Sequence, residues 1–144
     1  MKLRTHPFIF IIESDRNYRN TLEKHLLSGN YWYFKSFNST AECMYKLSQK
    51  PDVIIAGYPL PEKNDKEVFK KVRESNPEIQ LILLTENEDS ATVLDLMEYR
   101  PFDFLKKNDK ALQILNMLLN NITIINRLKR LRKREIGLAE LQCA

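Results

Sequence analysis

The sequence predicts an α/β domain: a parallel five-stranded sheet with helices on both faces, continued by a long C-terminal helix. Three observations carry this. Apolar runs rich in β-branched and aromatic residues recur five times, at 8–12, 31–37, within 51–61, at 79–84 and at 102–105. Each is followed by a segment with helical spacing, the crossover that parallel strands require and that is nearly always right-handed. The 144 residues, 43% hydrophobic and 29% charged, suit one domain with a full core.

Each element has its own local reason. The run 8–12 reads as a strand buried on both faces and ends in Glu13-Ser14-Asp15. Asp15 stands before Tyr18, Leu22 and Leu26, one face of a helix whose N-terminus it caps, and Gly29-Asn30 stops that helix. The aromatic run 31–37 is a second strand nearer an edge, interrupted by Lys35 and Ser36. Ser39 or Thr40 caps a helix carrying Ala41, Met44, Tyr45 and Leu47. The third strand enters through Pro51-Asp52 and closes at Gly57-Tyr58-Pro59-Leu60-Pro61. Asn64 or Asp65 caps a helix facing inward through Val68, Phe69 and Val72, and Asn76-Pro77 turns the chain into the most apolar strand, which ends at Thr85. Asp89 or Ser90 caps a helix with Val93, Leu94 and Met97 on one side; the fifth strand closes in Lys106-Lys107. From about Asp109 to at least Arg134 the pattern is helical, about 38 Å at 1.5 Å per residue and about twice what covers a short strand.

Composition excludes several classes. No run of eighteen apolar residues exists and the N-terminus leads into too short an apolar stretch for a signal peptide, so an intracellular, cytoplasmic protein is expected. Cys43 and Cys143 lack CxxC spacing and a nearby histidine, which argues against a zinc site or redox pair. Three glycines without a GxGxxG or GxxxxGK[ST] loop argue against a nucleotide site. The net charge of +4 is local: Arg127, Lys129, Arg130, Arg132, Lys133 and Arg134 lie within eight residues, and without them the chain has 17 basic against 19 acidic groups, a balance of −2.

The residues at the strand ends carry a family resemblance. Glu13-Ser14-Asp15 after the first strand, Pro51-Asp52 opening the third, Leu60-Pro61 after it, Thr85 after the fourth and Lys107 after the fifth resemble the receiver domain of bacterial two-component response regulators, over roughly residues 7 to 122. The resemblance implies a flavodoxin-like (βα)5 fold with strand order 2-1-3-4-5. It divides the chain into a receiver-like domain, 1–122, and a basic extension of the last helix, 123–144. In the family an aspartate ending the third strand is the phosphoryl acceptor, and an acidic pair after the first strand helps hold Mg²⁺ against the incoming group. On this match the acceptor position is Gly57, and the acidic pair is Glu13 and Ser14. Thr85 and Lys107 match the hydroxyl and the lysine that meet phosphoryl oxygens, although Asn108 stands where a proline usually follows the lysine; Phe104 matches the switch aromatic. The pattern implies a degenerate, pseudo-receiver site in which Lys107 pairs with Glu13, and no cofactor is expected, Mg²⁺ included.

Function at this stage is therefore a non-enzymatic protein-interaction module of two-component signalling, with a histidine kinase or a downstream regulator as the kind of partner. Two alternatives stay open. One is a phosphoryl-accepting regulator using a displaced carboxylate, with Asp52 weighed against a strand start and Asp65 against a helix cap, while Asp15 is weighed as a metal ligand against its role as a helix cap. The other is nucleic-acid binding through the basic helix, which lacks interleaved aromatics. On the last helix Leu115, Leu118, Ile122 and Ile125 follow 3-4-3 spacing, continued by Leu128 and Leu131. That stripe predicts a parallel coiled-coil homodimer with Leu118, Ile122, Ile125, Leu128 and Leu131 at the interface.

Overall fold

The computed structural model describes residues 6–60, 62–87 and 89–143, the side chains of Gln142 and Cys143 excepted. Pro61, the N-terminal segment 1–5 and the Cys143 thiol, each read above from the sequence, lie outside the described residues. Strands β1 (Ile9–Ile12), β2 (Phe34–Phe37), β3 (Val53–Tyr58), β4 (Gln80–Thr85) and β5 (Asp103–Lys106) form one parallel sheet in the order β2-β1-β3-β4-β5. Between them run α1 (Arg16–Ser28), α2 (Thr40–Tyr45) with a short 3-10 turn Leu47–Gln49, α3 (Asp65–Ser75) and α4 (Ser90–Glu98); α5 (Ala111–Cys143) ends the chain. The order and the long last helix are those the sequence led to.

Alternating side chains of the sheet feed two separate cores. On one face Phe10, Ile12, Ile54, Ala56, Leu81 and Leu83 meet Cys43 of α2, Val68, Phe69 and Val72 of α3, and Leu96 of α4. On the other, Ile9, Ile11, Val53, Ile55, Ile82 and Leu84 meet Leu22 and Leu26 of α1 and Leu115, Leu118, Leu119 and Ile122 of α5. Burial on both faces is why the central strands read as continuous apolar runs.

Polar groups at the element ends fix the register of this sandwich. The Asp15 carboxylate accepts from the Asn17 and Tyr18 amides, Ser39 from Glu42 and Asp89 from Thr92, three side-chain caps. Helix α3 starts differently: Asn64 makes no capping bond, and Asp65 Oδ1 accepts the Leu60 amide at 2.8 Å, bracing the loop after β3. Asp52 Oδ2 accepts the Phe8 amide at 2.8 Å and ties the start of β1 to that of β3. Both carboxylates weighed as displaced acceptors hold backbone.

Four expectations change. Strand β2 begins at Phe34 rather than residue 31, with Tyr31 packed under α5 and Trp32 and Tyr33 exposed. On α2 Tyr45, read among the helix's apolar residues, is exposed, while Cys43 is buried as a plain thiol was expected to be. On α4 the single buried apolar side chain is Leu96, and Leu94 and Met97 face outward at 70% and 55% exposure. The most consequential change is on α5. Leu118 and Ile122, expected at a dimer seam, are buried against the sheet, and Ile125 is half-buried; of the five expected residues only Leu128 and Leu131 are exposed. The helix carries two apolar stripes, and the one at 115, 118, 119 and 122 is needed by its own domain.

Candidate functional site

The carboxyl ends of β1, β3, β4 and β5 lie side by side, because parallel pairing puts Gly57 opposite Leu84 and Tyr58 opposite Thr85. This edge carries a cavity of about 400 Å³, lined among others by Glu13, Ser14, Gly57, Thr85 and Lys107. All five predicted site residues are therefore brought together.

Its centre is an ion pair. Glu13 Oε2 lies 2.9 Å from Lys107 Nζ, and both side chains are largely buried. Glu13 Oε1 accepts the Asp15 amide at 3.1 Å, while Oε2, which makes no hydrogen bond among the described residues, has the ion-pair contact with Lys107. The Glu13 carbonyl accepts from the Arg19 guanidinium at 2.8 Å, which pins the backbone that presents the carboxylate. Lys107 lies 4.7 Å from the centre of the Tyr18 ring, a cation–π contact that covers its outer side. Burial pushes the Tyr18 phenol up, and the Glu13 carboxylate pushes it further the same way. Tyr18 thus stays neutral and apolar over the pair through the physiological range.

Gly57 leaves open the space that the Glu13 carboxylate leans into. A Cβ built on Gly57 would stand 2.5 Å from Glu13 Oε2, closer than side chains approach, and 3.2 Å from its carboxyl carbon, a tight contact. The backbone there is ordinary strand, so the requirement is space and not conformational freedom. Glutamate is one methylene longer than aspartate, and that reach carries the carboxylate from the end of β1 across to β3.

The remaining residues are also engaged. The buried Thr85 hydroxyl donates to the Asn87 carbonyl at 3.0 Å and accepts the Asn87 amide at 3.1 Å, closing a small turn after β4. The Lys107 amide donates to the Thr85 carbonyl at 2.8 Å and aligns the two loops. Ser14 is exposed, and Phe104 is half-buried against the core under α3 and α4. The basic residues 127–134 are exposed on the far part of α5, away from this edge. Sequence reading paired Glu13 with Lys107 but missed Tyr18, Arg19 and Asn87; Arg19 lies six residues past Glu13 on the first turn of α1, a position from which a guanidinium reaches back to the strand end.

The site does not suit a divalent cation. Among the described residues no three of His, Cys, Asp and Glu converge, and the one buried carboxylate at the edge already has its charge offset by an ammonium. Gly57 offers backbone only.

Comparison with known proteins places this geometry. The family model described as the response regulator receiver domain matches residues 9–119. The chain is 24% identical over 100 residues to the DNA-binding transcriptional regulator NtrC of Escherichia coli (strain K12), covering 69% of this chain and 21% of that protein. It is 26% identical over 103 residues to the C4-dicarboxylate transport transcriptional regulatory protein DctD of Rhizobium meliloti (strain 1021), covering 70% and 22%. It thus spans about a fifth of the length of these curated relatives. A crystal structure of a response regulator receiver domain protein from Clostridium thermocellum superposes with a TM-score of 0.72 at 19% identity, covering 83% of this chain and 96% of that one.

Proposed function

The chain belongs to the response regulator receiver domain family, and from that premise we propose that it serves two-component signalling as a phosphorylation-independent protein-interaction module. One observation carries the reading: the Glu13 carboxylate fills the space that any side chain at position 57 would need, and it is already paired with Lys107. A receiver that is switched by phosphorylation meets its lysine with a new anion each time. Here the lysine meets the carboxylate of Glu13, and position 57 has no side chain to take a phosphoryl group.

The domain 1–122 would then act by contacts, with a histidine kinase or downstream regulator as partner and without catalysis. Leu94 and Met97 on α4 and, on the other face of the sheet, Met117 on α5 are exposed apolar side chains that support a protein-facing role. The extension 123–144 adds an exposed apolar seam, where the expected second copy of this chain competes with a helix from another protein. No helix among the described residues is long and apolar enough to cross a membrane.

The test is direct. The full chain is incubated with Mg²⁺ and acetyl phosphate and its intact mass is measured, with the double variant E13D/G57D as the gain-of-function comparison. The wild type is expected to remain unmodified, and its thermal midpoint unchanged by Mg²⁺ with beryllofluoride. A stoichiometric phosphoryl adduct on the wild type, lost in E13Q or in another single carboxylate variant, overturns the proposal.

A further inference from the structure

Once Leu115, Leu118, Leu119 and Ile122 have been used on the sheet, α5 still shows a second apolar line. Ile114, Met117, Ile124, Leu128, Leu131 and Leu138 are all exposed, and with Asn121 and Glu135 they fall at strictly alternating steps of three and four. That is the spacing of a coiled-coil seam held over more than three heptads, with Ile114, Asn121, Leu128 and Glu135 on one set of core positions and the other four residues on the second. From Ile124 to Leu138 the seam is about 21 Å long at helical rise. Nothing among the described residues covers it.

The flanks of the seam say what does. Arg127, Arg132 and Arg134 occupy the positions beside the core residues, Lys129, Arg130 and Lys133 the outer ones, and all six are exposed. In a parallel pair of identical helices the flanking residue of one strand faces the residue five positions on in the other. Arg127 would meet Arg132, twice by symmetry, and Glu135 would meet its own copy across the seam. An antiparallel pair is no better supplied, since α5 carries no charged residue between Ala111 and Asn126 and only Glu135 and Glu140 beyond the cluster. Against the six cations of each copy, two copies could set only Glu135 and Glu140.

We infer that this seam of α5 docks an acidic amphipathic helix of another protein, with apolar residues at heptad spacing and carboxylates on its flanks, in preference to a second copy of this chain. An acidic flank offsets the cations that self-pairing would crowd together, and a basic residue facing Glu135 completes the seam. The asparagine at 121 sets the register of such a pair, as single polar core positions do. The inference goes beyond the interaction-module reading and stands or falls separately from the phosphorylation test.

The experiment uses the full chain and three synthetic four-heptad helices. One has leucine and isoleucine at the core positions and glutamate on the flanks; the second has lysine on the flanks; the third keeps the glutamates but has serine in the core. Alone, the chain is expected to run as a monomer by light scattering at physiological salt. The acidic helix should bind at least about tenfold more tightly than the basic one, with the gap narrowing at high salt. The serine-core helix should not bind, and L128E/L131E, two exposed substitutions that leave the circular dichroism of the domain intact, should abolish binding. A dimer of the chain at micromolar concentration, equal binding of the acidic and basic helices, equal binding of the serine-core helix, or tighter binding of a mixed-sequence DNA duplex would each overturn the inference.

Discussion

Removing the ammonium of Lys107 leaves a buried carboxylate with nothing but an amide beside it. Lys107→Met should therefore cost about 3 kcal/mol in urea-unfolding free energy, the range for breaking one side of a buried pair. The double variant E13Q/K107M should recover more than half of that loss, because neither group is then charged. A loss under about 0.5 kcal/mol in the single variant would mean that solvent, and not Lys107, offsets the carboxylate. Gly57→Ala probes the other side of the same crowding. Its methyl would fall on Glu13 Oε2, and the expected cost is about 1–3 kcal/mol. Shortening the neighbour in G57A/E13D should return most of it, and a G57A protein as stable as the wild type would show that Glu13 moves aside freely. The pair itself was legible in the sequence, since the receiver-like pattern puts both residues at the carboxyl edge of the sheet and leaves Lys107 with no aspartate at position 57. That Gly57 and Glu13 share one volume was not, because it depends on which way a flexible side chain leans across the edge.

At the level of elements, all five strands and five helices could be read from apolar runs and helical spacing, while the facing of a helix could not always be. Helix α4 illustrates this: Leu94, Leu96 and Met97 are near neighbours in sequence, and only packing selects Leu96. Leu96→Ala should thus cost about 2–5 kcal/mol and Met97→Ala less than about 0.5 kcal/mol by urea denaturation. The reverse order would mean that α4 is rotated. Helix α2 carries a pH signature. Burial pushes the Cys43 thiol up to about 12, with the Glu42 carboxylate adding in the same direction. The folded chain keeps this proton to higher pH than the unfolded chain, whose thiol titrates near about 8.5. The resulting stability is fully present below that pH and is lost as the pH rises towards about 12. Unfolding free energy measured from pH 8 to pH 11 should therefore fall less steeply for C43A than for the wild type. Equal slopes would place the thiol in contact with water.

For the whole molecule, α5 is a helix with two fates. It runs without a break from Ala111 to Cys143, about 50 Å at helical rise, but the domain supports only its first part. Up to Ile122 it is anchored by four core residues; beyond Arg127 its apolar side chains have no cover, and six like charges repel along its length. Most helical stability in proteins comes from tertiary packing, so packing and not propensity decides how firmly each half is held. Sequence spacing showed a long apolar helix but not the split, because two stripes overlap and only the sheet reveals which one it takes. Hydrogen exchange followed by mass spectrometry separates the halves. Amides at 115–122 should be protected by at least about a hundredfold more than those at 130–140, consistent with local opening at low free-energy cost. Adding the acidic heptad helix should raise protection in the second half alone, while the strand ends around Glu13 and Lys107 exchange as before. Uniform protection along α5 in the free chain would mean that the far half is already covered, and the cover would then have to be a second copy.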